Sequence, residues 1–219
     1  MSEENDESKS VAELRRDYTK KALVESEVCD DPIDQFLEWF EQALSADLLD
    51  ANAMTLATAS NEGAPSARIV LLKGVDEQGF RFYTNYASRK GKELTTNPQA
   101  ALCFYWAPLE RQVRIEGQVE KISAEQSKAY FQQRPRQSQL SAWASEQSSK
   151  VDSRDELVSR FNEVKTRFED QKVPLPEFRG GFLLRPNRIE FWQGRQGRMH
   201  DRICYEKEDD GWTKCRLAP

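Results

Sequence analysis

The stretch MTLATASNEGAPSARIVLLKGVDEQGFRFYTN, Met54 to Asn85, decides the fold. Three runs within it, MTLATAS, SARIVLLKGV and FRFYTN, are rich in β-branched and aromatic residues, which suit the pleated surface of a strand. NEGAP and DEQG separate them, and their Gly, Pro, Asn and Asp residues supply turn geometry. Upstream, DDPIDQFLEWFEQALSADLL predicts a helix. Asp31 is its N-cap, Pro32 lies in its first turn, and Ile33, Phe36, Leu37, Phe40, Leu44 and Leu48 recur at helical spacing. Downstream, SRKGKELTTNP predicts a short helix capped by Ser88 and stopped by Pro98. QAALCFYW and RQVRIEGQVEKI read as strands, and SAEQSKAYFQQ as a helix opened by Ser123 with Glu125 in its first turn. A longer helix is expected over 153–170, ended by VPLPEF. The chain then returns to strands in GFLLRPNRIEFWQG, RICYEK and GWTKCRLAP, with a hairpin at Asp210-Gly211. Short strands with helices inserted between them predict an α+β fold, an antiparallel β-barrel with peripheral helices.

Composition narrows the function. The 219 residues, 38% of them hydrophobic, suffice for one packed domain, and a net charge of −5 argues against a polyanion or acidic-membrane binder. No apolar run approaches the roughly 18 residues of a membrane span. MSEENDESKSVAEL has no hydrophobic signal region, so a cytoplasmic location is expected, with residues 1–12 disordered. Cys29, Cys103, Cys204 and Cys215 form no CxxC pair; with a single histidine they argue for reduced thiols and against a metal site. Asp50, just before the first strand, reads as a water-facing acid at a helix end rather than an active-site carboxylate.

Against this acidic background, cations gather locally. Arg68 and Lys73 flank IVLL, and Ser88, Arg89 and Lys90 open a helix where free N–H groups favour anions. Tyr130, Arg134, Arg136 and Ser138 cluster around Pro135, and Gln147 and Ser148 stand in ASEQSS. IEFWQGRQGRMHDR places His200, the sole histidine, near Arg195, Arg198 and Arg202. Nearby cations favour a neutral imidazole, suited to holding an anionic or electron-rich ligand. There is no Gly-rich phosphate loop, so any phosphate is gripped by side chains. In a regular strand Arg68 and Lys73 point to opposite faces. Either a bulge separates them or they serve two ligands, and the second reading is favoured.

Taken together, these segments resemble the pyridoxamine 5′-phosphate oxidase family. The run Ile189, Glu190, Phe191, Trp192, Gln193, four variable residues, then Arg198, Met199, His200, Asp201 and Arg202 matches its signature. RIVLLK, FYTNxxSRK, LERQVR, YFxxRPRxSQ, SxQSS and RLAP match in order, covering the chain beyond its N-terminal tail. The resemblance implies an FMN-binding antiparallel split β-barrel with peripheral helices, working as a homodimer with FMN at the interface. It divides the chain into a flexible segment, 1–30, able to close over the site, and the oxidase domain, 31–219. It assigns FMN to Arg68, Ile69, Val70, Leu71, Lys73, Tyr83, Thr84, Arg89, Lys90, Gln112, Gln147, Ser148, Trp192 and Arg202. The substrate phosphate falls to Lys73, Tyr130, Arg134 and Ser138. Arg198, Met199 and His200 would face the pyridine ring, Arg198 and His200 as the catalytic pair, with Arg15, Arg16, Asp17 and Tyr18 closing over it. The implied reaction converts pyridoxamine or pyridoxine 5′-phosphate to pyridoxal 5′-phosphate, a hydride passing from C4′ to FMN and O2 ending as hydrogen peroxide. Orientation is the first role expected of His200. Arg179 departs from the pattern, since the family more often has tryptophan before GGF. Rival readings are a split-barrel flavoprotein of other activity, such as a flavin reductase, and a nucleotide- or nucleic-acid-binding module; the RPRxSQ and RMHDR segments speak against the first and the net charge against the second.

Overall fold

The computed structural model describes residues 17–20, 22–46 and 48–219. The expectations placed on Arg15 and Arg16 therefore lie outside the described residues.

The three runs of the opening stretch become strands. β1 (Ala53–Ala59) pairs antiparallel with β2 (Pro65–Leu71), and β3 (Gly74–Asp76) with β4 (Gly79–Asn85). β5 (Gln99–Trp106), β6 (Arg111–Lys121), β7 (Arg179–Gln193), β8 (Asp201–Glu208) and β9 (Gly211–Arg216) complete a nine-stranded sheet of order β2-β1-β5-β6-β7-β4-β3, with β8 and β9 branching from β7. Every pairing is antiparallel.

The branch follows from β7 itself. Its first half pairs with β4 (Arg179 opposite Asn85) and its second half with β8 (Arg188 opposite Glu206). Pro186, which has no N–H to donate, falls between these two stretches. Opposite it the β6 register shifts at Glu116/Gly117, and a Cβ at Gly117 would stand 2.1 Å from the Arg185 carbonyl oxygen. The bulge bends the sheet into an antiparallel split barrel.

Five helices flank the sheet among the described residues. α1 (Pro32–Ser45) is capped by Asp31, whose carboxylate accepts from the Ile33 N–H at 2.6 Å. Its buried face is Ile33, Phe36, Trp39 and Ala43, whereas Leu37 and Leu44 point outward, correcting the expected stripe. Trp39 and Ala43 follow Phe36 at i+3 and i+7, so the stripe turns away from the leucine side. α2 (Arg89–Thr96) is capped by Ser88, which accepts from Gly91 at 3.3 Å. α3 (Ala124–Gln133) opens on a capping box in which Ser123 and Gln126 bond reciprocally at 3.1 and 3.2 Å. α4 (Arg136–Ala144), not anticipated from sequence, follows Pro135, and α5 (Arg154–Arg167) is the expected long helix. Phe36, Phe80, Phe104, Phe191, Met54, Leu56 and Ile115 form the fully buried barrel core, and Phe131, Leu140, Phe168 and Val173 a smaller core beneath α3–α5.

Candidate active site

At the β2 edge the chain forms a concavity of about 450 Å³ lined by Arg68, Ile69, Val70, Leu71, Lys73, Tyr83, Thr84, Lys90, Tyr130, Gln147 and Arg179. Ten of these were expected from sequence; Arg179 was not. A larger hollow of about 780 Å³ between α4 and α5 holds Arg136 of the expected cation cluster but none of the residues assigned to FMN or substrate.

The alternation expected between Arg68 and Lys73 fails for a local reason. β2 ends at Leu71: Leu72 N–H still bonds to Asn52 of the β1 side at 2.9 Å, but Lys73 N–H has turned to Arg81 of β4 at 2.8 Å. The chain changes partner there, so neither a bulge nor opposite faces is needed to bring both cations to one cleft. β2 is also the outermost strand of the sheet path, with Ile69 65% and Leu71 40% exposed. Its outer row of backbone groups has no neighbouring strand in the described chain, as a ligand held by Ile69 to Leu71 requires.

Arg68 is held in place. Its guanidinium donates to the Leu56 carbonyl at 3.1 Å and to Thr58 and Ser66, and it lies 3.4 Å from the Glu93 carboxylate. Glu93, on α2, also accepts from Thr58 at 2.5 Å, Ser66 at 2.6 Å and Arg89 at 2.8 Å. Burial alone would raise its carboxyl, but hydrogen bonds from Ser66, Thr58 and Arg89 prevail and lower it to about 2. Arg89, expected at the cofactor, is mostly exposed and tied to Glu93. Glu93 escaped notice because KGKELTT gives no signal beyond a helix turn.

Lys90 is buried, with Nζ donating to Thr84 at 3.3 Å; burial, then Arg68 and Arg179, push its pKa down. Thr84 in turn donates to the Gln147 carbonyl oxygen at 3.4 Å. Tyr83 and Tyr130 stack with centroids 3.6 Å apart, docking α3 on β4. Arg134, at the C-cap of α3, stands 5.7 Å over the Phe131 ring, and Ser138 follows on α4, half-buried. Ser148 is exposed in a turn at φ 76. Among the described residues, Lys73, Lys90 and Arg179 have no carboxylate partner; of the four cations lining the cleft only Arg68 has one.

The second expected group assembles elsewhere, at the other end of β7. Trp192 lies opposite Gln112 of β6 and Arg202 of β8. His200 packs 4.8 Å from Trp192 and 5.5 Å from Tyr18, and its Nδ1 accepts from the Arg195 N–H at 3.1 Å. In the neutral ring this leaves the proton on Nε2, so Nε2–H is the free donor. Arg198 is exposed at φ 63, directly after Gly197 at φ 66, a left-handed pair that turns its side chain outward beside exposed Met199. Arg202 is clamped by Glu190 (2.9 and 3.0 Å), a buried carboxylate that sequence reading missed, and donates to Ala218 at 2.7 Å.

The described part of the N-terminal segment is strapped to this end. Thr19 and Lys20 N–H groups bond to Glu110 Oε2 at 2.9 and 3.1 Å, Leu23 N–H bonds to Asp201 at 3.0 Å, and Arg216 grips Glu25 and the Leu23 carbonyl. Asp17 is exposed beside Tyr18. Asp50 is an exposed turn residue at φ 53, as read from sequence.

One chain therefore does not bring the two groups together. The cleft stands at the Arg179–Gly181 end of β7 and His200 at the Trp192 end, a strand path of about 40 Å at ~3.3 Å per residue.

An antiparallel split barrel with a cationic edge cleft and a Trp–His–Arg cluster at its C-terminal end defines a split-barrel flavoprotein. The family described as pyridoxamine 5′-phosphate oxidase matches residues 40–168, and a pyridoxine 5′-phosphate oxidase C-terminal dimerisation region matches 180–219. The chain belongs to the pyridoxamine 5′-phosphate oxidase family, FMN-dependent oxidoreductases. It is 56% identical to a pyridoxine/pyridoxamine 5′-phosphate oxidase of Rubrobacter xylanophilus, over 96% of this chain and 97% of that one. It is 55% identical to one from Acaryochloris marina, covering 96% of each. Among solved structures, PhzG of Burkholderia lata, in complex with tetrahydrophenazine-1-carboxylic acid, superposes with TM-score 0.86 at 28% identity, over 91% of this chain and 99% of that one. An FMN-binding protein of Nostoc punctiforme shares the fold at TM-score 0.68 and 19% identity, over 88% of this chain and 100% of that one. No described helix is long and apolar enough to cross a membrane.

FMN is the cofactor, and the cleft suits it on its own evidence. Buried Lys90, which has no carboxylate partner among the described residues, and the open β2 edge call for an anionic ligand with polar ring edges.

Proposed function

We propose that this protein oxidises pyridoxamine 5′-phosphate or pyridoxine 5′-phosphate to pyridoxal 5′-phosphate in a homodimer with FMN at the subunit interface. When bound, FMN supplies the acceptor for the hydride leaving C4′ and a route for its electrons to O2, giving hydrogen peroxide. The alcohol substrate also loses its hydroxyl proton; the amine loses a proton, and its imine takes up water to release ammonia and the same aldehyde.

The observation that carries the reading is the cleft whose cations outnumber their carboxylate partners, in a chain of net charge −5. Arg68, Lys90, Thr84 and Gln147 serve the cofactor phosphate, with Arg89 and Ser148 at its margin and Ile69 to Leu71 offering backbone to its ring. Gln112, Trp192 and Arg202 approach it from the partner copy. Lys73, Tyr130, Arg134 and Ser138 hold the substrate phosphate. Charge-assisted hydrogen bonds of about 1.5–3 kcal/mol each make such a grip strong. His200 donates from Nε2–H and Arg198 from its outward guanidinium to the substituents of the pyridine ring, fixing C4′ for transfer. The packing of Tyr18 on His200 and Trp192 supports a role for the N-terminal segment as a cover that excludes water. Because one chain holds the phosphate grip and the His200–Arg198 pair at opposite ends of β7, the complete site takes one group from each copy. The match to a dimerisation region over 180–219, which contains Trp192, Arg198 and His200, supports that assembly.

The test is direct. Protein incubated with FMN, O2 and pyridoxamine 5′-phosphate should produce the aldehyde and peroxide in equal amounts. A protein that retains FMN yet yields neither would refute the reading.

A further inference from the structure

Arg179 opens β7, its N–H bonded to the Pro176 carbonyl at 3.0 Å and its Cα opposite Asn85 of β4. From there its side chain enters the wall of the cleft beside Lys73, Lys90 and Tyr130. The guanidinium is half-buried and, among the described residues, paired with no carboxylate; its buried Nε has no hydrogen-bond partner. The charged groups that act on it are Arg134 and Lys90, both cations, and the Tyr130 phenol lies beside it in the cleft wall. Burial first, then Arg134, lower its pKa to about 10, so it remains cationic at neutral pH. Burying an unpaired charge beside two like charges is costly, and a dianion among them reverses the cost. A planar fork of N–H donors matches the oxygens of a phosphate better than an ammonium does.

We propose that Arg179 is a further binding residue for the substrate's phosphate, shared with Tyr130 and Arg134, and that it sets the preference for phosphate esters over unphosphorylated rings. This deepens the function proposed above and rests on it. Tyr130 and Arg134, rather than Arg68, indicate which phosphate. Arg134 and Tyr130 act on the Arg179 guanidinium, which faces the α3 end of the cleft.

The test uses the FMN-loaded protein and the variants Arg179→Gln and Arg179→Lys. The Gln variant should raise KM for pyridoxamine 5′-phosphate about tenfold, the loss of one charge-assisted hydrogen bond, with kcat falling less and flavin retained on dilution. Lys, which keeps charge but not the fork, should recover part of that loss. Inorganic phosphate, as competitive inhibitor, should weaken in parallel. An unchanged KM, or loss of flavin without a KM effect, overturns the assignment. If Arg179→Gln does not fold, Arg179→Lys decides: a KM equal to that of the parent overturns it. A parent protein without oxidase turnover would remove the functional reading alone. Inorganic phosphate titrated into the FMN-loaded parent and variant, followed by calorimetry, would still test Arg179, and equal affinities would overturn its role.

Discussion

Arg198 and Glu93 are charged residues in opposite settings, one exposed and one buried. Arg198 is exposed on a left-handed backbone and pairs with no carboxylate among the described residues, so its guanidinium is available to a substrate. Arg198→Ala should lower turnover about 100-fold by loosening substrate orientation while flavin absorbance after gel filtration is kept; parallel loss of both would contradict its placement. Glu93 touches no ligand but fixes Arg68, Arg89, Thr58 and Ser66. Glu93→Gln should weaken FMN retention about tenfold, the effect of losing a charge-assisted contact, measured by flavin fluorescence on dilution. The pH sign follows from its pKa, lowered from 4.5 to about 2. Its contribution to stability is complete above pH 4.5 and disappears as pH falls towards 2. Acid unfolding of Glu93→Gln should therefore depend less steeply on pH in that window. Arg198 and His200 drew notice in the sequence because a lone histidine stands among arginines, and the roles proposed for them come from the family resemblance. Glu93, Glu190 and Arg179 were not legible, because their importance lies in partners, or in the lack of them, brought close only by folding.

At the level of elements, alternation and turn chemistry in Met54–Asn85 carried the sheet, and the caps at Asp31, Ser88 and Ser123 all form. Besides the α1 stripe, two readings failed for physical reasons. Strand periodicity was extended past Leu71, where the chain changes hydrogen-bonding partner, so Arg68 and Lys73 seemed opposed. RPRQSQLSAWA was read for its charge, and the helix it forms against Phe131 and Phe168 passed unnoticed. The bend at Gly117 makes a prediction of its own. Gly117→Ala would drive a methyl to 2.1 Å from the Arg185 carbonyl, which is backbone and cannot swing away. A loss of about 1–3 kcal/mol is expected, the usual cost of overpacking, read as a lower urea midpoint with unchanged slope. An unaltered midpoint would mean that the bulge can relax.

For the whole molecule, the governing feature is β7, which carries Arg179 at one end and Trp192 at the other and pairs with three strands between them. The proposed division of labour between copies predicts genetic rescue. If Arg134→Ala and Arg198→Ala chains are each inactive alone, co-expressing them yields mixed dimers in which one site inherits both lesions and the other inherits neither. With random assortment, half the dimers are mixed and one of their two sites works. Roughly a quarter of the parental activity should then return, from two proteins that have none.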